Sequence, residues 1–426
     1  PGSGEPYDIK VTAATGLAGT LENQINIDQS PVFSTAAGSL GTVANGARSG
    51  LSFTVAAADP ESGGDPVYTI ESGSIPAGLS FASTSSGAVI SGNADAVGSN
   101  TTSTFTIRAK DVNSNTSDRE FSITVLAPSY QSFTSSGTFS VPSGVSTVDV
   151  LVVAGGGAAG PEHGGGGGAG GLIYRPGFTV TPGGTISVTV GDGGVSSGST
   201  GPADNPQPGW TGQDSTFGTL VAKGGGSGGN YHPGNSPGTV QGDPGGSAGG
   251  GAAPGSGPVP IGGPGTALQP TQPGESGNYG FGNVGGAIAA VSSPYSSAGG
   301  GGAGGVGADG GASARAGNGG IGKAYTIADG TTSVYYAGGG GGGNYGPNGS
   351  YPGTASQGGV GGQGGGGDGN SLANDQSGAG QSGQNGTANR GGGAGSPSRW
   401  EETQPGSGRP QAGGTRGGKG VVIVSY

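Results

Sequence analysis

Hydrophobic and polar positions alternate along several short stretches between residues 31 and 127. Leu51, Phe53 and Val55 fall on one side of LSFTVAAAD, Phe105 and Ile107 on one side of STFTIRAKD, and Phe121, Ile123 and Val125 on one side of REFSITV. A period of two is that of a strand buried on one face, and turn-rich segments separate these stretches. About seven short strands in about 100 residues predict a two-sheet sandwich of immunoglobulin-like size. Residues 1–30 are polar except for Tyr7-Asp8-Ile9-Lys10-Val11 and predict an extended lead-in segment.

From residue 128 to 426 the pattern changes. TVDVLVVA is apolar without alternation, as in a strand covered on both faces. FTVTPGGTISVTV predicts a hairpin in which Phe178 and Val180 lead into Pro182-Gly183, and Ile186, Val188 and Val190 return. STFGTLVA, KAYTIAD, TTSVYYA and the terminal GVVIVSY are further strands. Strands run straight into glycine at VLVVA-GGG, TLVA-KGGG and VYYA-GGGGGG, so glycine continues the direction of the strand instead of turning the chain.

The glycine has a period of its own. In AGGVGADGGASARAGNGGI, Ala303, Val306, Asp309, Ala312, Arg315, Asn318 and Ile321 stand at every third position, and only Gly, Ala or Ser lies between them. Gln357, Val360 and Gln363 repeat the spacing, as do Gln381, Gln384, Thr387 and Arg390. Three residues per turn is the polyproline-II helix, which makes no internal hydrogen bonds. Such helices are stable only when packed side by side, each pairing N–H with C=O on its neighbours, and only residues without side chains fit the contact faces. The pattern therefore predicts that Gly304 and Gly305 line contacts and that Val306 lies in an open column. Collagen fits poorly because Gly-X-Y is not sustained and proline is not placed for it; an unstructured glycine linker and silk-like β-stacking are the alternatives. The expected fold is all-β: an Ig-like sandwich at 31–127, then a jelly-roll-like β domain with packed polyglycine-II helices at 128–426, closed by the C-terminal strand.

Composition narrows the function. Glycine supplies 110 of 426 residues, charged residues 9%, and the net charge is −11. An acidic chain without a basic stripe is a poor partner for nucleic acid or anionic lipid. No apolar run is long enough to span a bilayer, so neither nucleic-acid binding nor membrane insertion is expected. With no cysteine there is no disulfide or thiolate chemistry. A start at Pro1 and the absence of Met predict a processed product or a fragment of a longer polypeptide.

The stretch IPAGLSFASTSSGAVISGNA, with Pro76-Ala77-Gly78-Leu79 and Ile90-Ser91-Gly92 marking a hairpin, resembles the Ig-like, cadherin-like modules of bacterial surface and phage proteins. SGTFSVPSGVSTVDVLVVAGGG, GFTVTPGGTISVTVGDGG and GGKGVVIVSY resemble the glycine-rich domain of phage tail-fibre and adhesin proteins, over roughly residues 130–426. Glycine helices mixed with jelly-roll strands also occur in the extracellular region of certain receptor kinases. The phage resemblance implies a virion-surface or extracellular, non-enzymatic fibre or adhesin whose loops contact a host glycan or outer-membrane protein. The alternative is an architectural subunit of an extracellular filament or a virion decoration. A homo-oligomer, with other virion or filament subunits as partners, is expected.

Candidate chemistry is sparse. Gly317–Lys323 and Gly413–Lys419 match GxxxxGK, but Ala324 and Gly420 stand where a Ser or Thr would hold magnesium, and no helix follows. No Ser-His-Asp context is present. Aromatic residues cluster where the glycine period breaks, in NPQPGWTGQ, GNYHPGNSPG, GNYGFGN, GNYGPNGSYPG and SPSRWEETQPG. Tyr and Trp offer large contact area at low entropy cost. The receptor candidates are Trp210, Tyr231, His232, Tyr279, Phe281, Tyr345, Tyr351, Arg399, Trp400 and Glu401; capping of the glycine helices is the competing role. No catalytic residue and no cofactor are expected. Asp59, Glu61, Asp65, Asp111 and Asn113 offer oxygens suited to calcium, although turn chemistry places Asp and Asn in the same positions.

Overall fold

The computed structural model describes the chain apart from residues 1–6, 26–27, 45–50, 61–63, 162–163, 197–209, 231–239, 254–261, 290–294, 312–314, 346–356, 371–382 and 398–413. The chain divides into two units, Pro1–Pro128 with Pro142–Ser146, and Ser129–Val141 with Thr147–Tyr426.

In the first unit the lead-in forms a hairpin, Tyr7–Thr12 with Ala18–Ile25, turning at Gly16 (φ 81°). The sandwich follows. One sheet orders its strands Gly38–Ala44, Thr116–Leu126, Thr101–Lys110, Val67–Gly73; the other orders Leu51–Val55, Gly87–Gly92, Leu79–Thr84. The alternating residues meet between them: Val55, Ile90, Phe105, Ile107, Phe121, Ile123 and Val125 are buried in one cluster, with Phe53 packed against it. Leu79 pairs with Gly92 in the hairpin marked by Pro76–Leu79 and Ile90–Gly92.

In the second unit two sheets face each other. Tyr130–Phe133, Val421–Ser425, Thr147–Val153, Leu172–Thr179 and Gly280–Phe281 form one; Gly137–Ser140, Thr185–Thr189, Ser215–Phe217 and Leu220–Ala222 form the other. Phe178 of the first meets Phe217 of the second edge to face, ring centroids 5.6 Å apart. The expected hairpin around Pro182-Gly183 is a turn without pairing. Leu172–Thr179 pairs with Thr147–Val153, whereas Thr185–Thr189 pairs with Gly137–Ser140, so the turn carries the chain from one sheet to the other.

Thr147–Val153 lacks alternation for a visible reason. Its Leu151 and Val153 face a cluster with Ala169, Ala303, Tyr336 and Ala337 at the ends of the glycine segments. Val148, Val150 and Val152, on the opposite face, are fully buried on the side of the second sheet.

The glycine segments are helices in a hexagonal array. Segment 164–171 is the axis, and its successive amides point to three different neighbours. Gly165, Gly168 and Gly171 donate to Gly229, Gly226 and Lys223; Gly166 and Ala169 donate to Ala298 and Gly301; Gly167 and Gly170 donate to Ala394 and Gly391, at 2.8–2.9 Å. Its carbonyls accept from the three directions between: Gly168 from Gly157, Gly166 and Ala169 from Gly250 and Ser247, and Gly164 and Gly167 from Gly343 and Gly340. A repeat of three residues in each direction is three residues per turn.

Among the described residues, segments 154–160, 223–229, 247–252, 298–303, 337–343 and 391–396 thus encircle 164–171. They also bond to one another around the ring through Gly225→Gly155, Gly226→Ser247, Ala298→Gly251, Gly300→Gly340, Gly393→Gly338 and Ala394→Gly157. Further segments, including 283–288, 305–310, 316–322 and 357–363, form an outer row.

Close approach is why the interior is glycine. A Cβ on Gly165, Gly166 or Gly170 would lie 2.0–2.1 Å from a neighbouring carbonyl oxygen. Net gain per hydrogen bond is about 0.5–1.5 kcal/mol, whereas ordering a residue costs about 1–2 kcal/mol. Apolar burial at the strand end therefore has to anchor an array that hydrogen bonds alone would leave marginal.

Candidate functional site

The array has two unlike ends. At one, strands feed into it at Val153-Ala154, Gly171-Leu172, Ala222-Lys223, Tyr336-Ala337 and Gly420-Val421. At the other lie the described residues that flank 162–163, 197–209, 231–239, 254–261, 290–294, 312–314, 346–356, 371–382 and 398–413. Representative bonds there are Gly160 N–H to Gly165 O, Ala158 N–H to Trp210 O, Ala252 N–H to Val240 O, Ser297 N–H to Gly343 O and Asn370 N–H to Ser396 O.

Where glycine gives way at this far end, small polar side chains take over. Asn344 Nδ2 donates to Ser296 Oγ (3.0 Å) and Asn370 Nδ2 to Asn344 O (3.4 Å). Ser396 Oγ donates to Gly160 O (3.2 Å), and the Ala253 amide donates to Ser297 Oγ (2.8 Å). Asn230, Ser296, Ser297, Asn344, Asn370 and Ser396 are all buried. They floor this end with buried amides and hydroxyls, of which the side-chain oxygens of Asn230 and Asn370 have no hydrogen-bond partner among the described residues.

The aromatic candidates do not share one face. Trp210 stands at the far end but is 6% exposed, and its carbonyl accepts the Ala158 amide. Tyr279 and Phe281 lie at the strand end, Phe281 in the edge strand Gly280–Phe281 and Tyr279 just before it. One face of each ring is covered there: the Arg175 guanidinium sits 4.7 Å from the Tyr279 centroid, and Lys323 Nζ 4.0 Å from that of Phe281. Arg175 is also paired with Glu275 (2.7 Å). Nearby, Tyr174 and Tyr325 stack at 4.6 Å, and burial, with the Tyr174 hydroxyl, pushes the Tyr325 phenol up to about 12. These groups hold the hairpin Lys323–Tyr325/Val334–Tyr336 to the sheet and leave Tyr279 and Phe281 separated from the rest of the candidate set. The backbone of Tyr345 pairs with Tyr295 at the far end. Tyr231, His232, Tyr351, Arg399, Trp400, Glu401 and Glu61 lie outside the described residues.

Among the calcium candidates, Asp111 is held in a turn of its own. Asp111 Oδ1 accepts the amides of Asn113 (2.9 Å) and Asn115 (2.8 Å), the bonding of a turn. Among the described residues no three His, Cys, Asp or Glu side chains gather to hold a metal, and no helix is long and apolar enough to cross a membrane.

Two features had no sequence signal. Gln269, fully buried, accepts the Lys223 amide at Oε1 (2.7 Å) and donates from Nε2 to Ser276 O (2.8 Å) and Val221 O (3.3 Å). Asp243 bonds Ser227 from the next segment, and burial pushes its carboxyl up while the Ser227 hydroxyl works the other way.

The model of the Putative Ig domain matches residues 31–126, and that of the Glycine-rich domain matches residues 133–426. No curated protein matches the chain. Among solved structures, the protocadherin GammaB4 extracellular domain is 18% identical, covering 29% of this chain and 21% of that one, with TM-score 0.20. The human desmocollin-1 ectodomain is 12% identical, covering 50% and 41%, with TM-score 0.21. The protocadherin gammaB7 EC3-6 cis-dimer structure is 12% identical, covering 46% and 44%, with TM-score 0.20. The chain spans less than half the length of these three, and likeness at such TM-scores extends neither to overall fold nor to function. The glycine-rich match takes in more than half of the chain and spans the array of glycine helices, and the chain belongs to the glycine-rich domain family.

Proposed function

We propose that the chain is a non-enzymatic, extracellular adhesive element whose glycine array is a rigid base for receptor-contacting segments. The observation that carries this reading is the polarity of the array. Strand junctions occupy one end, and the residues bracketing the long inter-helix segments occupy the other. Function concentrates on loops held by a rigid scaffold, and the buried Asn and Ser floor restricts motion of the anchor points beneath them. Tyr231, His232, Tyr345, Tyr351, Arg399, Trp400 and Glu401 belong to segments starting at that end. The partner is a host-surface glycan or outer-membrane protein, and the protein takes the role of a virion fibre tip.

The test compares the two ends. Trp400→Ala is expected to weaken attachment of the labelled protein to bacterial cells that bind the parent chain by about tenfold or more, about 1.4 kcal/mol, with unchanged unfolding temperature. Tyr279→Ala, at the strand end, is expected to leave attachment intact. Loss from Tyr279→Ala, with no loss from Trp400→Ala, Tyr231→Ala and Tyr345→Ala combined, contradicts the reading.

One observation favours the architectural alternative. The hairpin Tyr7–Thr12/Ala18–Ile25 forms a two-stranded sheet of its own and exposes Val11 (60%) and Leu17 (80%). Isolated hairpins are marginal in water, and a neighbouring subunit would stabilise this one.

A further inference from the structure

The rim of the array poses a problem that its interior does not. Among the described residues an outer glycine helix has no neighbour on its far side, so its outward amides and carbonyls resemble those of an edge strand. Edges of that kind recruit further chains unless they are blocked. In this array the problem runs around the whole flank.

Outward amides at the rim are repeatedly taken up by a side chain from the adjacent helix. Asp309 Oδ1 accepts from Ala287 (2.8 Å), Asn318 Oδ1 from Val360 (2.9 Å) and Asp368 Oδ1 from Gly361 (2.7 Å). Gln241 Oε1 accepts from Gly263 (2.9 Å), and Asn385 Oδ1 from Arg416 (2.7 Å). Every acceptor is a carbonyl-type oxygen on Asp, Asn or Gln, reaching sideways to the place where the next helix would have put its backbone carbonyl. Segment 357–363 is clasped from both sides, by Asn318 and Asp368.

The same flank carries four exposed β-branched side chains on successive outer helices: Val284 (38%), Val306 (61%), Ile321 (43%) and Val360 (48%). Adjacency follows from Gly307→Val284, Gly304→Ile321 and Gly319→Val360 hydrogen bonds. At contact columns elsewhere in the array a single Cβ meets a carbonyl oxygen at about 2 Å, as at Gly319 and Gly341. A β-branched residue in the outward column therefore prevents another glycine helix from seating.

We infer that this flank is a latent self-association surface, complementary to the glycine helices of a second copy of this chain, and that the side-chain clasps and β-branched residues hold it shut. The residues in the open column set the width of the array. The inference concerns the flank and not the loop-bearing end, so it stands apart from the adhesive reading.

Two measurements test it. In Asn318→Ala and Asp368→Ala, amide exchange should accelerate by at least about tenfold at Val360 and Gly361 respectively. Gly359 and Gly362, which donate inward to Gly342 and Gly339, should keep their rates. The combined variant Val306→Gly, Asp309→Gly, Ile321→Gly should then form dimers and larger species in sedimentation velocity, at concentrations where the parent chain keeps a single, smaller coefficient. Unchanged exchange at Val360 and Gly361 overturns the inference whatever the sedimentation shows. A folded combined variant with the parent's coefficient overturns it as well.

Discussion

Gly166→Val is expected to abolish the glycine array. A Cβ at Gly166 lies 2.1 Å from Gly340 O, 2.6 Å from Gly340 C and 3.0 Å from Gly300 N, and valine adds two methyl groups to that clash. The obstacles are backbone atoms, themselves held by Gly340→Gly167 and Gly300→Gly340 hydrogen bonds, so no rotamer change relieves the overlap. Overpacking costs about 1–3 kcal/mol where neighbours can shift. Here the axis and two ring helices would have to separate, and a loss above about 4 kcal/mol is expected, a large part of a typical domain's stability. Calorimetry should show the transition of the glycine-rich unit lost or sharply lowered. Val306→Ser, in the open column, should stay within about 0.5 kcal/mol of the parent.

Gln269→Ala should be the most damaging single change outside the glycines and the apolar core. It strips the partner from the Lys223 amide and from the Ser276 and Val221 carbonyls, all beneath a fully buried side chain. A buried polar group left unsatisfied costs about 1–3 kcal/mol, and a total near 4 kcal/mol is expected by urea denaturation. Gln269→Glu should not rescue it, because a carboxylate can accept from Lys223 but faces the two carbonyls with no hydrogen to donate. Rescue by Glu, or a loss below about 1 kcal/mol for Ala, would show that water replaces the side chain.

How legible the array was depended on the row. In the outer row the three-residue period is visible because one column is open: Val306, Asp309, Arg315, Asn318, Ile321, Gln357, Val360 and Gln363 are all exposed. Ala303 breaks the pattern because it is the strand-end residue of its helix and packs with Leu151 and Tyr336. The column also misjudged Gly305. Its Cβ would meet only Ile321 Cγ2 at 3.2 Å, in a bend between helices, whereas a Cβ on Gly304 meets Gly322 O at 2.3 Å. Segment 164–171 has no period to read, since all three of its columns are contact faces and only Ala169 departs from glycine. Which helix neighbours which is set by the order in which the chain visits the ring, and that leaves no local trace. For the same reason a Pro-Gly turn between alternating stretches reads as a hairpin in the sequence: the turn is local, but the pairing partners lie far along the chain, Phe178 with Val148 and Ile186 with Phe139. The candidate site was legible as interruptions of the glycine period; the end of the array at which each interruption falls was not, and this is why Tyr279 and Phe281 were grouped with residues from which the fold separates them.

The central claim is that the glycine of this chain is a hydrogen-bonded solid and not a tether. Amide hydrogen exchange along Gly165–Gly171 tests it most directly, because every one of these residues is buried and its amide is bonded to another segment. The array predicts that all of them exchange only through opening of the whole unit, as slowly as Leu151 and Val152 in the central strand. Exchange of this run at the rate of free glycine peptide, with Leu151 and Val152 still protected, would contradict it.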